Sequence, residues 1–251
     1  MEYDVNLINT WFSQNGLSLN IDKTNFIVFS LRTTPPEVSL MLNNSRICQK
    51  EFVDYLGLWI DQGLTWKKHI LSITNKINSM AFALRRVRKF VSMDVAWKIY
   101  YGYIYPHFLY MNSLWGCSRS PLIHSLARIQ NSIIKTIKKL PRLFPTNQLY
   151  SNIVLPISNI HKYEICVFFY KVVHKRVKCN FALIAVSDMH NHNTRQRSLL
   201  HVLFTRTSSA RDSIIAKGIH LYNSLPHNIR EERSFNIFKS KLRSYLFDQP
   251  V

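Results

Sequence analysis

The sequence predicts an α+β fold, a small β-rich segment over residues 1–65 followed by a mostly helical body. Two observations carry that expectation. Up to residue 65 the apolar residues come mostly in short β-branched or aromatic runs, broken by turn formers such as Pro35-Pro36 and Asn43-Asn44. From Trp66 the apolar period changes to steps of three and four, the spacing of a helix face. With 251 residues, 47% of them hydrophobic, the chain has enough apolar material for a sizeable core.

Taken in order, Val5, Ile8, Trp11 and Phe12 recur at helical spacing, and Glu2 and Asp4 favour the positive N-terminal end of that helix. Asn15-Gly16 supplies residues that adopt the left-handed conformation, so the helix stops at Gly16. Asn20, Asp22 and Lys23 then carry the chain out of a turn into a short, well-buried strand from Phe26 to Phe29. Lys23 stands at that strand's entrance, where a lysine by itself is an ordinary solvated turn residue. The segment "EVSLMLNNSRICQ" reads as a hairpin turning at Asn43-Asn44, and "FVDYLGLWID" as a further strand.

The helical part begins with Trp66, Ile70, Ile73, Ile77, Met80, Leu84 and Val87 on one face of a long helix. Lys67, Lys68, Lys76, Arg85, Arg86, Arg88 and Lys89 decorate its other faces. Ser92 caps a second helix containing Trp97, Tyr100 and Tyr101, which bends or ends near Pro106. Ser120-Pro121 opens a third helix through Ile123, Leu126, Ile129, Ile133 and Ile137. After the connector "LPRLFPTNQ", a helix spans roughly Ser158 to His174, "LLHVLF" is a strand candidate, and a last helix runs from Ser234 to Phe247. Tyr100, Tyr101, Tyr103, Tyr105 and Tyr110 read as helical core rather than as base-stacking platforms.

Charge is the strongest compositional signal. The formal net charge is +19, from 33 Lys and Arg against 14 Asp and Glu. Residues 1–66 carry a net −3 and the remainder +22, and between Lys67 and Tyr163 fifteen Lys or Arg face a single acid, Asp94. Such a field attracts polyanions, because each phosphate neutralised releases condensed counterions. Nucleic acid is the expected partner. No apolar run reaches the ~20 residues of a membrane helix, and no signal-peptide pattern opens the chain. Cys48, Cys117, Cys166 and Cys179 are too scattered for a zinc half-site, which points to free thiols in a reducing intracellular setting, cytoplasm or nucleus. His190 and His192 lack a Cys or acidic partner at ligand spacing, so no metal site is expected there. Without a glycine-flanked nucleophile elbow, hydrolase chemistry has no support.

The segments "WFSQNGLSLNIDKT", "FVDYLGLWIDQGLTWKKHI", "IYYGYIYPHFLYMNSLWG", "RIQNSIIKTI", "NTRQRS" and "LYNSLPHNIR" span nearly the whole chain. In that order they resemble the C-terminal portion of a reverse transcriptase from a non-LTR retrotransposon of the jockey type. The resemblance implies the end of a palm with a primer-grip-like hairpin over residues 1–65, thumb-like basic helices over 66–145 and a C-terminal helical region over 146–251. It places Asn20, Lys23 and Thr24 in the palm motif that follows the catalytic aspartates, with Lys23 near the departing pyrophosphate. Tyr55, Leu56 and Gly57 fall on the primer grip, Gly57 letting the backbone approach the primer and Tyr55 packing on a sugar. The helix from Trp66 to Lys89 is implied to lie along the duplex, touching phosphates without reading sequence. The nucleic-acid-binding candidates are therefore Lys23, Tyr55, Leu56, Gly57, Lys67, Lys68, Lys76, Arg85, Arg86, Arg88 and Lys89.

Polymerase chemistry in that family needs carboxylates holding two magnesium ions. The family takes them from an aspartate ahead of the fingers–palm crossover and from an aromatic-x-Asp-Asp hairpin, and neither pattern occurs here. The adjacent acidic pair Glu231-Glu232, flanked by Arg230 and Arg233, reads as a charged surface turn. The expectation is a truncated RNA-directed DNA polymerase whose catalytic residues lie upstream of residue 1. It would keep a primer–template surface for RNA or DNA, with no catalytic residue, metal or cofactor in this chain. The alternative is a stand-alone basic nucleic-acid-binding or interaction protein derived from such an element.

Overall fold

Helix α1 (Glu2–Gln14) ends where Gly16 takes a φ of +70°, the left-handed conformation that glycine adopts without steric cost. The computed structural model describes residues 2–30, 36–42, 45–116, 118, 120–150, 153–181, 183–189, 198–202 and 204–249. The chain is α+β, a small β part followed by helices, and it divides into two units, Met1–Ser72 and Ile73–Val251.

In the first unit, β1 (Asn25–Phe26), β2 (Leu40–Leu42) and β3 (Ser45–Gln49) form a sheet in the order β1-β3-β2. β2 and β3 are the two arms of the expected hairpin, antiparallel with Leu42 opposite Ser45, and its turn at Asn43-Asn44 lies outside the described residues. β1 runs parallel to β3, Asn25 opposite Cys48. Alternation puts Leu40, Leu42 and Ile47 on one face, where Val5, Leu19, Ile21, Phe26 and Val38 pack against them. No residue of α1 is buried.

Two strand expectations are corrected here. The strand expected over Phe26–Phe29 stops at Phe26, and Phe29 is 56% exposed, because the parallel pairing with β3 lasts only two residues. The single strand expected in "FVDYLGLWID" is a hairpin, β4 (Phe52–Tyr55) and β5 (Leu58–Asp61), with Tyr55 opposite Leu58. Its two-residue turn is Leu56-Gly57, with φ of 53° and 79°, the positive values of the primed turns that match strand twist. After β5, the Asp61 carboxylate accepts from the N–H groups of Thr65 and Trp66, each at 2.8 Å, and so holds the turn that leads into α2 (Lys67–Val87). The boundary between the units falls within α2.

In the second unit, α3 (Met93–Ile99) is capped by Ser92, whose hydroxyl accepts from the Val95 N–H. It passes through a π-helical turn over Tyr100–Ile104 into α4 (Tyr105–Leu109). The widened turn arrives just before Pro106, which has no N–H to offer the ladder. The short α5 (Asn112–Trp115) leads to α6 (Leu122–Lys138), whose first N–H, that of Leu122, donates to the Ser120 hydroxyl. α7 (Ile157–Val173) is the central helix, with nine buried residues that leave it no continuous polar face. Gln130 joins α6 to it: its amide donates to Tyr100 Oη and the Leu155 carbonyl, and its oxygen accepts from the Ile157 N–H and Tyr150 Oη. This buried amide uses all its main partners, the condition under which a core polar group is tolerated.

After α8 (Val186–Met189) and α9 (Ser208–Arg211) comes α10 (Ile214–Asn223), which presses Gly218 against Phe169 so closely that a Cβ there would collide with the ring. α11 (His227–Arg230) precedes α12 (Phe235–Phe247), where Phe238 stacks on Tyr170 with centroids 4.2 Å apart. The strand candidate "LLHVLF" gives, among its described residues, only an isolated bridge from Leu200 to Ala185.

Candidate nucleic-acid interface

The long helix α2 sorts its residues as an amphipathic helix should. Ile70, Ile73, Ile77 and Leu84 are buried, while Lys67, Lys76, Arg85, Arg86 and, just beyond its end, Lys89 are exposed. Exposed cations on a helix whose apolar side is committed to packing are free to present donors to a polyanion. Arg86 lies 4.8 Å from the centroid of the exposed Phe82 ring, and Phe90 is 87% exposed beside the same cations. These two aromatic residues were not among the sequence candidates; their signal was that both fall off the apolar stripe.

Arg88 is a correction. It is 8% exposed, with Nε donating to the Ile137 carbonyl and Nη1 to the Val91 carbonyl, both at 2.8 Å. It faces inward because it stands four residues after Leu84, on the buried stripe rather than beside Arg85 and Arg86. There its charge meets the carbonyl end of α6, where the helix dipole favours a cation.

Lys68 is half-buried and rests on aromatic rings. Its ammonium lies 2.9 Å from the Phe52 ring centroid and 4.0 Å from that of Trp59, a cation–π seat between the two strands of the β4–β5 hairpin. At the tip of that hairpin Tyr55 and Leu56 are 61% and 69% exposed, next to Gly57. The structure thus brings Tyr55, Leu56 and Gly57 together as one projecting turn.

Asn20, Lys23 and Thr24 share a single 3-10 turn (Ile21–Lys23). The Asn20 side-chain oxygen accepts from the Lys23 N–H at 3.1 Å, and the Thr24 hydroxyl donates to the Asn20 carbonyl at 2.8 Å. Asparagine is suited to this position because its short amide mimics a backbone acceptor. The Lys23 side chain is exposed at the entrance of β1.

A second group of cations gathers on an aromatic surface in the helical unit. Lys171, Arg176 and Lys239 lie 4.7–5.4 Å from the Phe235 ring centroid, with Arg176 also near Tyr170. Sequence reading missed it, since these residues are far apart along the chain. Of the tyrosines expected in the core, Tyr100 is buried and Tyr101 donates to the Ile153 carbonyl, while Tyr103 and Tyr110 are exposed.

Glu231 pairs with His227 and Glu232 with Lys241, each at 2.7 Å, which makes the acidic pair part of a charged surface turn. Among the described residues no three His, Cys, Asp or Glu side chains gather to hold a metal; His190 and His192 lie outside them. No helix of the described residues is long and apolar enough to cross a membrane.

Two curated proteins are similar to the chain. One is the probable RNA-directed DNA polymerase from transposon X-element of Drosophila melanogaster, 27% identical over 131 residues, which is 51% of this chain and 14% of that protein. The other is the RNA-directed DNA polymerase from mobile element jockey of Drosophila funebris, 23% identical over 152 residues, 58% of this chain and 16% of that protein. The matched stretches thus span about one sixth or less of these relatives. No protein-family model matches the chain, and no solved structure matches it.

Proposed function

We propose that this chain, a relative of the RNA-directed DNA polymerases of jockey-type non-LTR retrotransposons, binds a nucleic-acid duplex of the primer–template kind through its phosphates. The observation that carries the reading is the exposed set Lys76, Arg85, Arg86 and Lys89, turned outward because the opposite side of α2 is buried. In the first unit, Lys67, the Lys23 turn and the projecting Tyr55–Leu56–Gly57 tip are the contacts assigned to backbone and sugar. Contacts of this kind tolerate any sequence. Arg88 supports its surface from within rather than touching phosphate, and Lys68 rests on the Phe52 and Trp59 rings.

The reading gives this chain no polymerase step of its own. The residues present do not fit the family's magnesium site, since no three potential ligands gather among the described residues. The test is a fluorescence-anisotropy titration of a labelled primer–template duplex across a salt series. Binding that weakens steeply with salt and ignores base sequence supports the reading. Binding that is independent of salt contradicts it.

A further inference from the structure

A cavity of about 300 Å³ opens in the helical unit, lined by residues of α5, α6, α7 and α10 and of the segment between α5 and α6. Ile123 and Leu221 contribute apolar wall, and the ionisable residues of the described lining are His124, His161, Lys162 and Lys217. All four carry positive charge or none. Lys162 comes from α7 and Lys217 from α10, and both are half-buried. Cationic side chains at one partly enclosed space favour a bound anion there.

Three further features point the same way. Both α6 and α7 are 17 residues long and begin at the cavity, with Ile123 and His124 in the first turn of one and Ile157 and Ser158 in the first turn of the other. The starts of long helices carry partial positive charge and favour anions. Within the cavity, burial lowers the pKa of His161 to about 4, and Lys217 and Lys162 push it in the same direction, so the field of both lysines reaches this space. Gly116 lets α5 close against α7, since a Cβ there would collide with His161 Nδ1 and the Asn112 carbonyl.

We propose that this cavity binds a phosphate monoester carried on a compact apolar or aromatic body, with Lys162 and Lys217 holding the dianion near the start of α7. The size suits one nucleotide, at the lower end of the range of small-molecule sites. The phosphate belongs either to a free 5′-nucleotide or to the 5′-phosphorylated end of a strand. The proposal is independent of the duplex surface, because α2 lends no residue to the cavity lining.

The experiment is isothermal titration calorimetry of the full chain with AMP and with inorganic phosphate. Alongside it, a short 5′-phosphorylated single strand is compared with its 5′-hydroxyl twin. One AMP or one phosphorylated strand end should bind per chain, more tightly than inorganic phosphate, and the 5′-hydroxyl strand should lose the increment. Preference for AMP assigns the site to a free nucleotide, and preference for the phosphorylated strand assigns it to a strand end. Lys162→Gln with Lys217→Gln should weaken binding by about tenfold or more per lysine. Ser158→Glu, at an exposed position of the lining, should block the anion without disturbing the core and serves if the double lysine variant fails to fold. No binding of AMP or of the phosphorylated end, or binding that survives Ser158→Glu in the folded protein, overturns the proposal.

Discussion

Arg88 donates from Nε to the carbonyl oxygen of Ile137 across 2.8 Å, tying the end of α2 to the last turn of α6. Hydrogen bonds from a charged group are worth about 1.5–3 kcal/mol each. Arg88→Met should lower the unfolding free energy of the helical unit by roughly that amount in a urea titration. Duplex affinity of the folded variant should stay unchanged. Unaltered stability with weakened duplex binding would return Arg88 to the phosphate-contacting set.

His161 gives the helical unit a pH dependence. Burial, partly opposed by the Asn112 carbonyl and reinforced by Lys217 and Lys162, lowers its pKa from 6.5 to about 4. The unfolded chain takes up this proton near pH 6.5 and the folded protein only near pH 4, so the unfolded state binds more protons between those values. Stability is therefore complete above about pH 6.5 and falls as the pH drops toward 4, by about 3 kcal/mol in all. His107 and His174 are lowered by burial in the same direction, and Glu164, raised by burial, opposes them in the acid range. Replacing His161 by Gln isolates its share: urea midpoints measured from pH 7 to pH 4.5 should fall less steeply than for the parent. Equal slopes would mean that this imidazole titrates normally.

Much of the helical unit was legible in the sequence because its signals are local. Ser92 caps α3, α7 lies within one residue of its expected ends, and Ile70, Ile73, Ile77 and Leu84 are buried as their spacing required. The hairpin turn at Leu56-Gly57 escaped because leucine is a poor signal for a positive φ. Arg88 escaped for a different reason. Its charge grouped it with Arg85 and Arg86, whereas its spacing of four from Leu84 already placed it on the buried stripe. The Phe235 cation cluster and the cavity around Lys162 and Lys217 join residues distant in the chain, which no periodicity reports.

The first unit should open before the second. The buried core of its three-stranded sheet is Leu40, Leu42 and Ile47, and none of α1 is buried, so little apolar area resists local unfolding. Limited proteolysis followed by mass spectrometry should find the earliest cuts within residues 2–60. Early cleavage inside α2 or α6, with residues 2–60 still protected, would reverse that order of stability.

Purified chain supplied with a primed RNA template, magnesium and nucleotides should extend no primer, because no carboxylate cluster for two-metal chemistry gathers among the described residues. Template-dependent extension that persists through further purification would defeat this part of the proposal.

The most direct test concerns the outward face of α2. Lys76, Arg85, Arg86 and Lys89 are replaced together by Gln, and binding of a labelled primer–template duplex is measured by anisotropy over a salt series, with circular dichroism confirming the fold. Each phosphate contact on a B-form duplex contributes about −0.9 to the slope of log K against log salt, so the slope should flatten by roughly 3–4 units and affinity at low salt should drop. A folded variant with the parent's slope and affinity would show that these four cations are a solvated surface and that α2 does not hold nucleic acid.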